Sequence, residues 1–282
     1  MIRLDQAMVE RGLCESREKA KRAIMAGTVK INGQLARKAS DSVKPDDNLE
    51  LTEAEKFVSR GGHKLEHALQ HFKIDVTGLT AIDLGASTGG FTDCLLQRGA
   101  AKVFAVDVGQ GQLAWKLRRD KRVVVMEKTN ARNLMPASFH TAGCQPSPLA
   151  PPHESRSSGR ESAPSSQRRL TSAATVQGFP ADLIVIDCSF ISLRKILPAA
   201  VALLRPLGNI VALIKPQFEA GKTEVDKGEG VITDPAIHER VLRELEAFVG
   251  ADAQLRWRGV TESPLLGPAG NKEFLVLIEK TR

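Results

Sequence analysis

Apolar residues recur along this chain in two rhythms, and the rhythm changes near residue 56. Before that point Leu4, Ala7 and Met8 stand at helical spacing, and Gly12 stops the helix they predict. Ser16 is the expected N-cap of a second helix carrying Ala20, Ala23 and Ile24, closed by Gly27. Val29 and Ile31 then alternate into Asn32-Gly33, a pair that tolerates the positive φ of a hairpin turn. Val43, Leu49 and Leu51 predict further short strands. Beyond residue 56, Leu65, Ala68, Leu69 and Phe72 form one helical stripe. Strands are predicted at Thr80–Leu84, Val103–Asp107, Val123–Met126, Leu183–Asp187, Ile210–Ile214 and Phe274–Ile278. Helices are predicted around 91–98, 192–204 and 235–248. This alternation predicts an α/β domain with a mostly parallel, doubly wound sheet. The expected organisation is a small α+β unit over 1–55, a linker over 56–62 and the α/β domain over 63–282.

Residues 138–178 interrupt the alternation. They are rich in Ser, Pro and Ala and poor in Ile, Val and Phe, so they read as a disordered insertion without a core. Arg156, Arg160, Arg168 and Arg169 belong to it and are read as passive. The 282 residues suit two domains at about 150 residues each. With 42% apolar and 26% charged residues, collagen-like, fully disordered and disulfide-scaffold classes are excluded. Cys14, Cys94, Cys144 and Cys188 form no CxxC pair, so no zinc knuckle or redox dithiol is expected. Such thiols fit a reducing cytoplasm. No signal peptide and no stretch of 18 apolar residues stands in the sequence, so no membrane association is expected.

The net charge of +7 points to a polyanionic partner. Aromatics are 4% and Tyr is absent, which argues against a surface built mainly on base stacking. The charge is segregated. Arg3, Arg17, Lys21, Arg22 and Lys30 lie in the basic stretch before residue 39, and Asp41, Asp46, Asp47 and Glu50 in the acidic one after it. Arg17, Lys21 and Arg22, on one helix, suit a phosphate backbone. A second basic cluster runs through Lys116, Arg118, Arg119, Lys121, Arg122, Lys128 and Arg132. His63, His67 and His71 recur every four residues; without an acidic or Cys neighbour they read as a basic stripe facing RNA, not as a metal site.

The order Arg3-Leu4-Asp5, Gly12, Ser16-Arg17, Ala20, Ile24, Gly27-Thr28-Val29, Asn32-Gly33 resembles the S4 RNA-binding domain over nearly all of residues 1–52. That resemblance implies docking of structured RNA through the two helices and the basic start of the hairpin, and Arg60 extends the expected RNA-facing set.

The segment Asp83-Leu84-Gly85-Ala86-Ser87-Thr88-Gly89-Gly90-Phe91 follows the first predicted strand of the larger domain and opens a helix. Its glycines let backbone approach a ligand closely. It is neither GxGxxG nor a P-loop, because Ala86-Ser87 fills the middle and Phe91 stands where Lys would be. Asp83 suits a cationic ligand such as S-adenosylmethionine, Asp107 is placed for ribose hydroxyls, and Asn130 is placed to reach an adenine. The same loop satisfies GxSxG, a nucleophile elbow, whose triad would need Asp187 and His238.

Lys64, Asp187, Lys215 and Glu273 are expected around one cleft: Asp187 and Lys215 end apolar strands, Glu273 opens the last, and Lys64 lies on the helix before the first. They match the Lys-Asp-Lys-Glu tetrad of FtsJ-like ribose 2′-O-methyltransferases. The segments KFVSRGGHKLEHAL, DLGASTGGFTDCLL, DLIVIDCSFISL, LIKPQFEAG and SPLLGPAGNKEFL together resemble the TlyA family, rRNA cytidine 2′-O-methyltransferases once called haemolysins. Cys188 departs from the more usual aliphatic residue and is expected to be neutral. The resemblance implies a Rossmann-like, S-adenosylmethionine-dependent domain, a ribosomal subunit as partner, no metal, and Lys215 as base or orienting group with Asp187, Glu273 and Lys64. Short members modify large-subunit rRNA and longer ones both subunits; without its insertion this chain reads as a short form, so the large subunit is the expected substrate, with the small subunit as the alternative, and a monomer is expected. A non-catalytic ribosome-binding protein and a membrane-active haemolysin are the alternatives.

Overall fold

Short turns, each with its own side-chain lock, shape the first part of the chain. The computed structural model describes residues 1–25, 27–52, 55–139 and 181–281. The chain divides into two units, Met1–Ser59 and Arg60–Arg282. In the first, β1 (Ile2–Arg3) runs into α1 (Leu4–Glu10) and α2 (Arg17–Met25), followed by β2 (Val29–Ile31), β3 (Gln34–Leu35), β4 (Ser42–Val43) and β5 (Leu49–Leu51). Ser16 Oγ accepts from the Lys19 N–H at 3.3 Å, which caps α2 as expected. Asn32 and Gly33 take φ of 49° and 79° and close the β2–β3 hairpin. The acidic stretch is structural. Asp41 accepts from the Arg37 and Lys38 N–H groups at 2.9 and 3.0 Å, and Asp47 from the Lys44 N–H at 2.7 Å. Leu4, Ala7, Met8, Ala20, Ile24, Val29, Val43 and Leu49 form the core of this unit.

The second unit opens with α3 (Gly61–His71), β6 (Thr80–Leu84), α4 (Gly90–Gln97), β7 (Lys102–Val106), α5 (Trp115–Arg118) and β8 (Val123–Met126). After the undescribed stretch come β9 (Ala181–Ile186), α6 (Leu197–Leu203), β10 (Leu204–Ile214), α7 (Pro216–Glu219), α8 (Lys222–Lys227), α9 (Pro235–Gly250), β11 (Leu255–Glu262) and β12 (Phe274–Lys280). The seven strands stand in the order β11-β12-β10-β9-β6-β7-β8. From β10 to β8 the pairing is parallel; β12 runs antiparallel to β10 and β11 antiparallel to β12. The interior strands are continuous apolar runs because both faces are covered: Leu183 to Ile186 are all fully buried.

Two features depart from expectation. β11 was not anticipated, because Arg256, Arg258 and Gly259 break its apolar alternation; it is an edge strand, with a register shift between Trp257 and Gly259. The expected insertion also begins too early. Pro136–Phe139 is a 3-10 turn whose Phe139 is fully buried, edge-on to Phe104 at 5.2 Å. Residues 140–178, with the four arginines and Cys144, lie outside the described residues.

The chain runs from β6 to β7 and β8 on one side, then crosses to β9 on the other. The reversal therefore lies between β6 and β9, where ligands of such sheets bind. Asp83, near the end of β6, is fully buried and accepts from the Thr92 N–H at 3.0 Å and the Thr92 hydroxyl at 2.7 Å, tying the first turn of α4 to the strand. Its Oδ1 has no hydrogen-bond partner among the described residues. Burial pushes this carboxyl up to about 7 despite the bonds from Thr92, and the Asp187 charge adds to the rise.

The sign of the resulting pH dependence follows. Between about 4 and 7 the folded protein retains a proton on Asp83 that the unfolded chain has released, so this group's contribution to stability falls as pH rises and levels off above 7. Unfolding midpoints of the ligand-free protein from pH 4 to 9 should show Asp83→Asn removing a slope on the order of a few kcal/mol across that window. An unchanged slope in the variant would contradict the assignment.

Candidate active site

A cavity of about 440 Å³ opens beyond the ends of β6, β7 and β9, lined by Gly85, Ser87, Asp107, Asn130 and Asp187 among the expected residues. Gly85 has a φ of 88°, and a Cβ there would stand 2.6 Å from the Asp187 carbonyl oxygen, so only glycine fits. Gly89 is equally constrained, since its Cβ would collide with Leu117. Ser87 has a φ of 48° and donates its N–H to Asp107 Oδ2 at 2.8 Å, while the Gly109 N–H donates to Oδ1 at 2.7 Å. Asp107 thus binds the glycine loop to the end of β7. Asn130 Oδ1 accepts from the Arg132 N–H at 3.1 Å, which caps the next 3-10 turn.

Other residues of the expected cofactor set stand behind the cavity wall. Asp83 is buried beneath α4, does not line the cavity, and is bonded through Oδ2 to Thr92. Ala86 is buried and bonded through its N–H to Val106 O at 3.0 Å. Gly90 and Phe91 are buried in the first turn of α4, and Thr88 is exposed with its carbonyl accepting from Ala114. These residues set the course of the loop; Gly85 and Ser87 line the cavity.

The four charged residues form two ion pairs. Lys64 of α3 pairs with Glu273, and both side chains are almost fully buried, at 8% and 1% exposure. Lys215 Nζ lies 2.6 Å from Asp187 Oδ1. Asp187 follows β9 and Lys215 follows β10 at the same edge of the sheet. In the β10–β12 ladder Ile214 faces Phe274, so Lys215 and Glu273 are the next residues on each strand. Lys64 and Glu273 are joined to each other, because a carboxylate as buried as that of Glu273 needs its own counter-charge. The glycine-rich turn before β12 has a reason here: a Cβ on Gly267 would stand 2.6 Å from Glu273 Oε1.

The cavity wall also includes Gln112, Ser189 and Phe190, to which no motif in the sequence gives a role. Ser189 Oγ accepts a hydrogen bond from Lys215 Nζ at 2.9 Å. Phe190 has a φ of 63° and is 89% exposed, with its ring 5.1 Å from that of Phe218. An exposed aromatic ring in a strained loop is invisible to periodicity. Cys188 also lines the cavity; burial above all, then the charge of Asp187, pushes its thiol up to about 12, so it stays protonated at neutral pH.

The basic residues divide likewise. Arg3 and Arg17 each lie 3.0 Å from the buried Asp5 carboxylate. The bond from Arg3, with that from Arg17, holds Asp5 down to about 2. The two arginines are therefore fastened at one end, with about half of each side chain exposed. Lys21, Arg22 and Arg60 are exposed, and Lys30 is half-buried opposite Glu50 in the β2–β5 ladder. In the second cluster Lys116 pairs with Asp93, Arg118 with Glu127 and Arg122 with Asp120, whereas Arg119, Lys121, Lys128 and Arg132 are exposed. The histidine stripe is corrected at His67, whose Nε2 lies 3.2 Å from Thr261 Oγ1 of β11. The serine-hydrolase alternative lacks its relay. His238 is buried with Nε2 3.0 Å from the Ile232 carbonyl, Ser87 Oγ lies 3.3 Å from Gln112 Oε1, and Asp187 is paired with Lys215.

Comparison with known proteins places this geometry. The family model of the FtsJ-like methyltransferases matches residues 57–280, and that of the S4 domain matches residues 2–49. The 16S/23S rRNA (cytidine-2′-O)-methyltransferase TlyA of Mycobacterium tuberculosis is 42% identical over 97% of this chain and 88% of its own length. Hemolysin A of Brachyspira hyodysenteriae is 38% identical over 97% of this chain and 98% of its own. A solved structure from Streptococcus thermophilus carrying the hemolysin name superposes with a TM-score of 0.66 at 40% identity, covering 99% of this chain and 88% of that one. The chain belongs to the TlyA family of S4-bearing, FtsJ-like methyltransferases.

Proposed function

We propose that this protein transfers a methyl group from S-adenosylmethionine to the ribose 2′-oxygen of a cytidine in ribosomal RNA, acting in the cytoplasm. One observation carries the reading: the Lys215–Asp187 pair stands at the edge of the switch-point cavity, with Asp187 part of its wall. The residues present fit the cofactor. Gly85 lets the loop pass against the Asp187 backbone at the cavity wall, and both Asp107 oxygens face a loop of N–H donors with lone pairs to spare for a ribose diol. Asn130 Oδ1 is engaged in capping, so the group it has for an adenine is its Nδ2 donor. When bound, S-adenosylmethionine supplies an activated methyl group on a sulfonium centre.

The protein's own task is then alignment and proton handling. A ribose hydroxyl is a poor nucleophile and must lose its proton as it attacks. Lys215 orients that hydroxyl and, once its ammonium has released a proton to solvent, takes up the hydroxyl proton as the 2′-oxygen attacks, while Asp187 holds the amine in place. Lys64 and Glu273 fix α3 to the start of β12 beside this pair. Lys21, Arg22, Lys30 and Arg60 are the residues we assign to RNA phosphates, with Arg3 and Arg17 contributing their exposed sides. Phe190 offers an exposed ring beside the cavity for the base of the target nucleotide.

Lys215→Ala and Asp187→Ala should each lower methyl transfer about 100-fold or more with the unfolding midpoint little changed; wild-type rates in either purified variant would refute the mechanism. Separate incubation of each ribosomal subunit with labelled S-adenosylmethionine, followed by mapping, should place the label on a 2′-oxygen of large-subunit rRNA. Label on a base would refute the reaction, and label in the small subunit would overturn the choice of subunit.

A further inference from the structure

We infer that Ser189 is a positioning residue for Lys215, its hydroxyl fixing the direction in which the lysine amine meets the substrate ribose. The inference rests on the reading of Lys215 given above and deepens it.

A lysine ammonium carries three equivalent donors on a flexible four-carbon stem. A carboxylate at contact distance fixes where such a group sits but leaves its rotation loosely defined. Here the contact between Lys215 Nζ and Asp187 Oδ1, at 2.6 Å, is a charge contact, and that oxygen receives no directed hydrogen bond. The directed bond from Nζ runs to Ser189 Oγ at 2.9 Å. The bond to Ser189 fixes one donor direction about the Cε–Nζ bond, and with it the other two, one of which can face the substrate hydroxyl. A base that must take a proton along one line needs this arrangement. Asp187 alone does not provide it.

Ser189 is itself held in place. The Ser192 hydroxyl donates to Glu219 Oε2 at 2.6 Å, and the Leu193 N–H donates to Glu219 Oε1 at 2.7 Å. Phe190 packs on Phe218, with ring centroids 5.1 Å apart. Phe218 and Glu219 belong to α7, which begins immediately after Lys215. The loop after β9 and the segment after β10 are thus joined by three contacts besides those of Lys215 itself. Displacement of one loop carries the other with it, which keeps the hydroxyl and the amine in register.

Ser189 is exposed and on the cavity wall, so its truncation leaves the core intact. Steady-state kinetics of the full-length protein on ribosomal subunits, with S-adenosylmethionine affinity measured separately, test the inference. Ser189→Ala should lower kcat about 10- to 100-fold while KM for the subunit and cofactor affinity stay within about twofold. Ser189→Thr, which keeps a hydroxyl, should recover most of kcat. An unchanged kcat in Ser189→Ala overturns the inference, as does a loss confined to KM or cofactor affinity, or a Ser189→Thr variant no better than Ser189→Ala. Wild-type protein that labels no ribose 2′-oxygen would instead overturn the reaction itself, and this inference with it.

Discussion

The close approach of β6 and β9 at the point where the sheet reverses is the constraint on which the rest of the catalytic unit depends. The two strands are hydrogen-bonded in parallel register, and the Asp187 N–H donates to the Leu84 carbonyl at 3.0 Å just beyond their ends. The chain must then turn away on both sides in almost no space. Gly85 meets that demand with a positive φ and no Cβ, against the backbone of Asp187. The turn leaves the cavity on one side and sets Asp187 into its wall. Asp107 closes the arrangement from β7 by accepting the N–H groups of Ser87 and Gly109. One steric fact thus places the cavity and the Asp187 carboxylate next to each other.

Charge at this edge follows a second rule. Asp187 and Lys215 stand where strands end, Glu273 just before one begins and Lys64 on α3, and an ion taken from water there needs a partner. The Lys64–Glu273 pair is the more enclosed and joins α3 to the start of β12. The Lys215–Asp187 pair retains more access to solvent, with 24% of the Asp187 side chain exposed. The enclosed pair is suited to holding elements together, and the accessible one to meeting a substrate. Asp83 shows the contrary case: a carboxyl deep below the glycine loop with Thr92 but no cation, and therefore held toward its neutral form.

The sequence was legible where one local rule decides the outcome. The parallel strands were readable because each is mostly apolar, and the Asn32-Gly33 hairpin because both residues tolerate positive φ. The glycine loop was readable from its place between β6 and α4. What escaped was set by partners far away in sequence. β11 hides its strand character at an edge where Arg256 and Arg258 face solvent. Phe139 looked like the start of an insertion until Phe104 received it. Arg3 and Arg17 read as phosphate ligands, yet Asp5, a neighbour of one and twelve residues from the other, fastens both. Ser189 and Glu219 lie in ordinary-looking loops, and only the meeting of those loops gives them work.

The central claim is that the cavity beside the β6–β9 reversal holds the methyl donor, and Asp107 is the residue on which that claim can be tested without involving RNA or turnover. Equilibrium binding of S-adenosylmethionine to the purified wild-type protein and to Asp107→Ala, by calorimetry, is the direct measurement. Asp107→Ala should bind about 10- to 100-fold more weakly, the equivalent of losing charge-assisted bonds to a ribose diol. Equal affinity in the two proteins would place the cofactor elsewhere and refute binding at this cavity.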